Sequence, residues 1–450
     1  MRRIHEASAY DTTVWPPSHW RASAPAAVPL PALSTATRAE VAVIGAGYAG
    51  LSAALTLARR HGATVAVLEA GQPGWGASGR NGGFCCLGGA MLSDAAIVAR
   101  VGTGGARDFR DFQHRAVERV AEILQKHAID ARQGPEGDLC IAHSRRAFAA
   151  LQRSAETRRT LYGENSELIP PEALAERGLL GAGFHGAELN ATGFPIHPLI
   201  YAEGLARLAL AAGVRIFGDT PVVSIQRDGE GWRLTTPEGQ VHARRVLIAT
   251  NGYSSEDLPD WLGGRTLPAR SQIMMTRPLT RTERRAQGFT TPIMSYDTRD
   301  LLHYFRHLPD GRFLFGMRGG VTAHPAEAAR TSALLRDHFA RMFPAWAAVE
   351  AETEWSGFIC LTGSSAPYIG PVPGADGLYA ALGWHGNGVA AATLGGELAA
   401  GLIAGAPTAI PALMRQPPRR FPLPALRRVA LRAAYVWKGL MDGPMPRAPH

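Results

Sequence analysis

The stretch "AEVAVIGAGYAGLSAALTLARRHGATVAVLEAG", residues 39–71, constrains the fold more than any other part of the chain. It begins with a short apolar run, Val41–Ile44, of the kind that forms a buried parallel strand. A glycine-rich turn and a helix rich in small residues follow, and a second apolar run, Thr64–Leu68, ends at Glu69. This order predicts a βαβ unit with a parallel sheet, and therefore an α/β protein.

The turn of this unit carries the spacing G-x-G-x-x-G, formed by Gly45, Ala46, Gly47, Tyr48, Ala49 and Gly50. The first glycine allows the tight turn, the second lets the backbone approach a pyrophosphate, and the third lets the helix pack closely on the strand. The helix N-terminus supplies N–H donors and a positive dipole. Glu69, followed by Ala70, would accept hydrogen bonds from ribose hydroxyls. Because the spacing lies between a strand and a helix, it predicts a dinucleotide site.

Length and composition set the broad class of protein. A chain of 450 residues is too long for one ordinary core, so two domains are expected. No run of eighteen apolar residues predicts a membrane span, and the first forty residues lack the apolar core of a secretory signal. The four cysteines are too scattered for a disulfide framework or a metal site; they are Cys85, Cys86, Cys140 and Cys360. We therefore expect a cytoplasmic protein without bound metal.

The positive charge is concentrated at the C-terminal end. The formal net charge is +9, and residues 411–450 hold eight Arg or Lys against one Asp. The rest of the chain is close to neutral and has no aromatic-basic motif for reading bases. A nucleic-acid partner is therefore not expected.

Two later stretches favour FAD over NAD as the nucleotide. Residues 213–252 alternate like an antiparallel meander that ends in the buried strand Val246–Ala249. Residues 377–405 place a strand, the loop "GWHGNG" and an Ala/Gly-rich helix in succession. A domain that binds only a nicotinamide nucleotide has no obvious need for this second loop, whereas the extended FAD molecule does. A helix N-terminus directed at the flavin would stabilise the negative charge of its reduced form.

These motifs together resemble the superfamily of glycine oxidase, sarcosine oxidase and D-amino-acid oxidase. Within it, "GWGASGRNGG" is most similar to the branch of gamma-glutamylputrescine oxidases. The resemblance spans roughly residues 38–410. It implies an FAD-binding, Rossmann-like domain of the glutathione-reductase type, interleaved with a substrate domain built on an antiparallel sheet.

The resemblance also implies how the two domains alternate along the chain. The FAD domain is expected to contain residues 1–90 (with a leader, 1–37), 193–262 and 355–415. The substrate domain is expected to contain residues 91–192 and 263–354, with amphipathic helices at 105–130 and 327–350 on the outer side of its sheet. A basic tail, 416–450, would follow.

The cofactor implied by the resemblance is FAD that is bound without a covalent link, because Cys360 does not match the position through which sarcosine oxidases attach flavin. The segment after Glu69 is expected to line the isoalloxazine and pyrophosphate region through Ala77, Ser78, Arg80, Asn81, Gly82 and Gly83. Contacts are also expected from Val223 and from two later loops; the loop residues are Thr250, Asn251, Gly252, Gly383, Trp384, Gly386, Asn387, Gly388 and Val389.

The chemistry implied by the resemblance is oxidation of a C–N bond by hydride transfer to flavin N5, followed by hydrolysis of the imine. Such a reaction needs no dedicated base. The candidate pocket residues are Tyr304, Arg306 and Arg318 on a predicted hairpin (299–320) and His385 in the late loop. The expected substrate is an amine or amino acid of the gamma-glutamylputrescine, glycine or sarcosine, or D-amino-acid type, and the electron acceptor is dioxygen or another oxidant. A dehydrogenase of 2-hydroxy acids or polyols, or a non-catalytic flavin-binding scaffold, would share the cofactor motifs.

The tail contains a basic amphipathic helix at residues 424–440. Its apolar positions include Leu426, Val429, Val436, Trp437 and Leu440. Two functions are open for this stripe: packing on the protein's own FAD domain, which the sequence favours, or peripheral contact with the inner membrane face or a protein partner.

Overall fold

The computed structural model describes residues 1–447. The nine α-helices of this range are α1 (His19–Ser23), α2 (Tyr48–His61), α3 (Asp94–Lys126), α4 (Arg145–Tyr162), α5 (Pro198–Ala211), α6 (Arg281–Gln287), α7 (Pro325–Met342), α8 (Gly388–Ala404) and α9 (Arg427–Asp442). Its strands, numbered β1 to β18 in chain order, form two eight-stranded sheets and one two-stranded sheet.

The first sheet contains the predicted βαβ unit at its centre. Its strands are β1 (Ala36–Ile44), β2 (Val65–Leu68), β8 (Arg215–Phe217), β9 (Ser224–Asp228), β10 (Gly231–Thr235), β11 (Gln240–Ile248), β17 (Tyr368–Pro371) and β18 (Leu378–Leu382). Parallel pairing of β1 with β2 and β11 aligns Ile44 with Leu68 and Ile248. The carboxyl ends of three buried strands therefore meet at one edge, where open α/β sheets bind their ligands. The predicted meander is confirmed as antiparallel β9, β10 and β11.

Helices α2, α3, α5 and α8 cover one face of this sheet in a single apolar core. Glycine allows the close approach of two of them, because a Cβ atom on Gly396 in α8 would overlap the carbonyl oxygen of Ala49 in α2. The packing of α3 corrects the sequence-based expectation for residues 105–130. Phe109, Phe112 and Val120 of α3 are buried in the core of the first sheet, and not on the outer side of the substrate-domain sheet.

The second sheet is mostly antiparallel, with one parallel pair between β4 and β13. Its spatial order is β16, β12, β15, β14, β13, β4, β6, β5. Their bounds are β4 (Asp138–Ile141), β5 (Glu167–Ile169), β6 (Ala187–Asn190), β12 (Thr266–Thr276), β13 (Met294–Asp297), β14 (His303–His307), β15 (Phe313–Arg318) and β16 (Ala351–Thr362). The predicted hairpin is confirmed as β14 and β15. Helix α7 packs on this sheet through Leu335 and Phe339, as expected for residues 327–350.

The two large sheets draw their strands from alternating parts of the chain, which supports the proposed interleaving of two domains. One proposed boundary, between residues 354 and 355, falls inside β16, and the whole of that strand belongs to the second sheet. The small third sheet pairs β3 (Phe84–Cys86) with β7 (Gly193–Pro195) and fixes the end of the glycine-rich segment 76–89. Cys85 and Cys86 are buried there as free thiols.

The C-terminal helix α9 is attached through Leu431, which is buried in a small apolar cluster with Leu267, and through its charged side chains. Arg427, Arg428 and Lys438 pair with Glu256, Glu6 and Asp300. Its apolar stripe faces outwards, with Trp437 64% and Leu440 72% exposed. The expectation that this stripe packs on the protein's own FAD domain is therefore wrong. Within residues 1–447, no helix is long and apolar enough to cross a bilayer.

Candidate cofactor and substrate site

A first cavity lies at the carboxyl edge of the first sheet. Its lining includes the turn after β1, the end of β2, the glycine-rich segment and the start of α8. Of the predicted cofactor residues, it contains Gly45, Ala46, Gly47, Tyr48, Ala49, Glu69, Ala70, Ala77, Ser78, Asn81, Thr250, Asn251, Trp384, Gly386, Gly388 and Val389. The structure therefore brings together residues that lie more than three hundred positions apart in the sequence.

The turn after β1 needs glycine for three separate reasons. Gly45 has a φ of +104°, which L-residues with side chains rarely adopt. A Cβ on Gly47 would lie 2.9 Å from the hydroxyl oxygen of Ser78, and one on Gly50 would overlap the carbonyl oxygen of Gly45. Because the turn is free of side chains, the N-terminus of α2 opens into the cavity. Gly50 itself does not line the cavity and acts through packing.

Glu69 directly follows β2 and is partly buried at the wall of the first cavity. It accepts hydrogen bonds from the N–H groups of Ala46, at 2.7 Å, and Gly71, at 3.0 Å. Burial raises the pKa of this carboxyl group, and the two N–H donors offset part of the rise. Glu69 thus presents a fixed acceptor beside the glycine turn, as a ribose hydroxyl would require.

The glycine-rich segment separates two neighbouring cavities. A second cavity, of about 320 Å³, shares Ala77, Asn81 and Gly386 with the first, together with Phe358 and Ile359. Gly82 and Asn387 line only this second cavity. Gly83 lines neither: its φ is +77° and a Cβ there would overlap the carbonyl oxygen of Ile196. A flat group bound in the first cavity would therefore be able to present one face to the second.

Arg80 is buried beside the second cavity. Its Nε donates to the carbonyl oxygen of Trp75 at 2.6 Å, and its guanidinium lies 4.0 Å above the Trp75 ring. Burial lowers the pKa of this group. Its Nη2 atom is buried without a hydrogen-bond partner, so Arg80 retains one donor for a ligand. It does not line the first cavity.

One hydrogen bond fixes the start of the late loop. Asn251 Oδ1 accepts from the N–H of Gly383 at 2.9 Å, which ties the loop to the end of β11. Gly383 does not line either cavity, and neither does Gly252, whose Cβ position lies 3.0 Å from Phe358. The predicted cofactor contact of Val223 is also corrected. This residue is 42% exposed, and its neighbours Pro221 and Val222 line the first cavity instead.

His385 is not placed for catalysis, which corrects the prediction from the sequence. Its Nδ1 lies 3.0 Å from the carbonyl oxygen of Gly89, and its Nε2 lies 3.1 Å from the N–H of Thr362. The first contact requires a proton on Nδ1 and the second requires a lone pair on Nε2, so the ring is neutral. Burial lowers its pKa to about 4. His385 lies outside both cavities and holds the late loop to β16.

Two of the three hairpin candidates face the second cavity. Tyr304 donates to or accepts from the Ser271 hydroxyl at 2.8 Å, and Arg318 also lines the cavity. The prediction that Arg306 lines the substrate pocket is corrected, because its Nε and Nη2 donate to the carbonyl oxygens of Gly82 and Ile196 at 3.0 and 2.8 Å. Strand alternation places Tyr304 and Arg306 on the same face, but the backbone of the glycine-rich segment covers Arg306.

The sequence did not reveal several residues of these cavities. Arg3, Tyr10 and Thr12 of the leader line the first cavity, although the leader has no motif. Asp138 and Tyr296 line the second. A single acid at a strand start carries no recognisable signal, because only the strand order of the sheet brings it to the cavity.

The first cavity fits FAD by the chemistry of its donors and acceptors. It offers a glycine-rich turn at a helix N-terminus for phosphates, the Glu69 carboxylate for a ribose, and the N-terminus of α8 for the flavin. Cys360 also lines it, and burial raises the pKa of this thiol to about 12. Residues 1–447 contain no group of three or more side chains placed to hold a metal ion.

Comparison with known proteins gives consistent results. A family model described as DAO, FAD dependent oxidoreductase, matches residues 40–402. The chain is 31% identical to the gamma-glutamylputrescine oxidoreductase of Escherichia coli K12, over 93% of this chain and 96% of that protein. It is 27% identical to the glycine oxidase of Bacillus licheniformis, over 82% and 94%. The crystal structure of glycine oxidase from Geobacillus kaustophilus has the same fold, with a TM-score of 0.68 at 23% identity, over 83% and 96%.

Proposed function

Because the chain belongs to the DAO family of FAD-dependent oxidoreductases, we propose that it oxidises the C–N bond of an amine or amino acid. The observation that carries this proposal is the pair of adjoining cavities, which share Ala77, Asn81, Phe358, Ile359 and Gly386. One cavity has the chemistry of a dinucleotide site, and the other is lined by aromatic and charged side chains. The family relationship favours an amine over other reductants.

The chain's own residues bind and orient the reactants. The N–H groups at the start of α2 and the Glu69 carboxylate hold the cofactor, and Tyr304 and Arg318 orient the substrate in the second cavity. FAD bound in this way supplies the hydride acceptor. The N-terminus of α8 favours negative charge at the adjacent part of the site. No general base is assigned to His385, because both of its ring nitrogens are hydrogen-bonded to the backbone.

We also propose that FAD is held without a covalent bond. The thiol of Cys360 is buried, and burial raises its pKa to about 12, so it is protonated at neutral pH and a weak nucleophile. Denaturation in acid is expected to release all of the flavin into the supernatant. Yellow colour retained in the protein pellet would contradict this assignment.

An anaerobic titration of the purified protein tests the reaction. The panel contains glycine, sarcosine, D- and L-amino acids, putrescine, gamma-glutamylputrescine and lactate, and free FAD with each compound is the control. We expect one of the amines to bleach the visible absorbance of the flavin, and air to restore it if dioxygen is the acceptor. Bleaching by lactate alone would favour a 2-hydroxy-acid dehydrogenase. Binding of FAD without bleaching by any compound would favour a non-catalytic scaffold.

We propose that the outward stripe of α9 contacts an anionic bilayer surface. The stripe exposes Val429, Val436, Trp437 and Leu440, and the surrounding tail carries a large positive charge. The protein should sediment with phosphatidylglycerol vesicles and not with phosphatidylcholine vesicles, and Trp437→Ser should reduce that binding. Concentration-dependent dimerisation without vesicle binding would instead identify a second copy as the occupant.

A further inference from the structure

Building on the proposed amine oxidation, we propose that Asp138 and Arg318 bind opposite ends of one elongated substrate, with Asp138 holding a cationic nitrogen and Arg318 holding a carboxylate. The substrate would thus be a long molecule with a positive and a negative group, and not glycine or a simple alkylamine. Neither the family membership nor the sequence motifs assign a role to Asp138.

The carboxylate of Asp138 is buried and lacks a counter-charge. The residue begins β4, lines the second cavity and is only 4% exposed. Its Oδ1 has no hydrogen-bond partner. A buried carboxylate with one unpaired oxygen and no counter-charge is costly in free energy, so a position that keeps one is a candidate for ligand binding.

The arginines nearest to Asp138 already form ion pairs with other carboxylates. On α4, Arg158 pairs with Glu188 of β6, and on α3, Arg110 pairs with Glu164. Burial, together with the charge of Glu188, raises the pKa of Asp138 to about 7, and Asn190, Arg110 and Arg158 offset part of the rise. The thiols of Cys86 and Cys140 and the phenol of Tyr296 also face this carboxylate. A bound cation would supply the missing positive charge.

Aromatic rings lie between the two charged residues. Tyr296 on β13 is paired with Tyr304 on β14, and both line the cavity. The ring of Phe84 meets that of Tyr304 edge-on at 5.8 Å. Such rings stabilise a cation or an alkyl chain that crosses them.

Arg318 provides the opposite charge at the other side of the cavity. It forms no ion pair within residues 1–447, and burial lowers the pKa of its guanidinium. Its Nη2 lies 3.8 Å from the Cβ position of Gly386, which belongs to both cavities. A free guanidinium in this position can bind a carboxylate through two parallel hydrogen bonds.

The strand order places the backbones of Asp138 and Arg318 far apart, which favours a long substrate. Strand β4 is separated from β15 by three steps across the sheet, through β13 and β14, which is about 14 Å. Along the strands, Asp138 is level with Leu314, four residues from Arg318, or about 13 Å. The ammonium and carboxylate of glycine are separated by one carbon atom, a reach far shorter than either of these backbone separations.

Binding of straight-chain ω-amino acids to the oxidised holoenzyme tests this inference. The probes are 4-aminobutyrate, 6-aminohexanoate and 8-aminooctanoate. Octylamine and octanoate are the matched controls for 8-aminooctanoate, because each carries only one of its two charges. Anaerobic stopped-flow absorbance gives Kd from the flavin spectral change, or from the concentration dependence of bleaching if the probe is oxidised. We expect affinity to rise with length and 8-aminooctanoate to bind more tightly than either single-charge probe.

Variants separate the two ends of the clamp. Asp138→Asn should weaken octylamine binding by about tenfold or more and Arg318→Met should do the same for octanoate, while Glu167→Gln on the same sheet should change neither. The Kd of octylamine should rise below about pH 7 in the wild type, as Asp138 becomes protonated, and be flat in Asp138→Asn.

The outcomes distinguish this inference from the proposed function. A yellow protein that amines reduce, but that binds all three lengths equally or is unaffected by Asp138→Asn, overturns the clamp alone. A protein that binds no FAD overturns the proposed function itself. Equal weakening of octylamine and octanoate by both variants would show a general loss of structure and also contradict the two-ended assignment.

Discussion

The Nδ1 atom of His385 lies 3.0 Å from the carbonyl oxygen of Gly89, and this contact joins the late loop to the end of the glycine-rich segment. On the other side of the ring, Nε2 accepts the N–H of Thr362. A single neutral imidazole therefore connects three separate parts of the chain beside the first cavity. Its function is to position them.

Replacement of this histidine should affect cofactor binding more than chemistry. In His385→Asn we expect weaker FAD binding, but the flavin that remains bound should be reduced at a rate within tenfold of wild type. Loss of a general base would cost about 10²–10⁴-fold. The rate of flavin bleaching in rapid-reaction experiments, normalised to bound flavin, measures this difference. A loss of rate greater than tenfold would support a catalytic role for His385.

His385 should also make stability depend on pH. Its folded pKa, about 4, lies below the ordinary histidine value of 6.5, so the unfolded chain binds a proton that the folded protein does not. Stability should therefore fall as the pH falls from about 6.5 to 4. Melting temperatures from pH 4.5 to 7.5 should show a smaller acid loss in His385→Asn than in wild type. Parallel curves would contradict the neutral, buried ring.

Asp138 should have the opposite dependence on pH. Its folded pKa of about 7 lies above the ordinary aspartate value of 3.8, so the folded protein retains a proton that the unfolded chain releases. Stability should fall as the pH rises from about 4 to 7 and then remain low. Asp138→Asn should equal wild type near pH 4 and exceed it at pH 8, by roughly 2–4 kcal/mol. A variant that is less stable at pH 8 would show that the carboxylate is needed for folding.

The glycine turn can be tested with a pair of alanine substitutions. Gly50→Ala should greatly lower FAD content, because the new Cβ would overlap the carbonyl oxygen of Gly45. Gly104→Ala in α3 is the matched control, since no atom lies within 4 Å of its Cβ position. That control should retain full flavin and gain stability of about 0.4–1 kcal/mol. The ratio of flavin to protein absorbance provides the measurement.

The two arginines of the hairpin should behave differently. Arg318→Met should lower the preference for a carboxylate-bearing amine over a plain amine by about tenfold or more, because its guanidinium lines the second cavity, where we propose that the substrate binds. Arg306→Met should leave that preference within a few-fold, since its guanidinium binds the backbone of Gly82 and Ile196. The ratio of kcat/KM for the two amines decides between them. Similar changes in both variants would place Arg306 at the substrate.

Local patterns were sufficient for most of the cofactor site. The G-x-G-x-x-G turn, the acid at the end of β2 and the late loop each lie at a strand end followed by a helix or turn, and such motifs require few distant contacts. Residues whose role depends on packing were harder to assign. The residue types and positions in the sequence suggested a site role for Val223, Arg306 and His385. In the structure, contacts with distant segments place Val223 outside the cavities and occupy the polar atoms of the other two.

The sequence by itself determined the α/β class, the nucleotide turn, the meander and the hairpin, because period, glycine spacing and turn residues act over a few positions. Only the tertiary structure decided that α3 packs on the first sheet, that α9 turns its apolar stripe outwards, and that Asp138 and Arg318 share one cavity. The physical reason is that strand order and helix docking depend on contacts between residues far apart in the chain. Such contacts leave no periodic pattern in either partner.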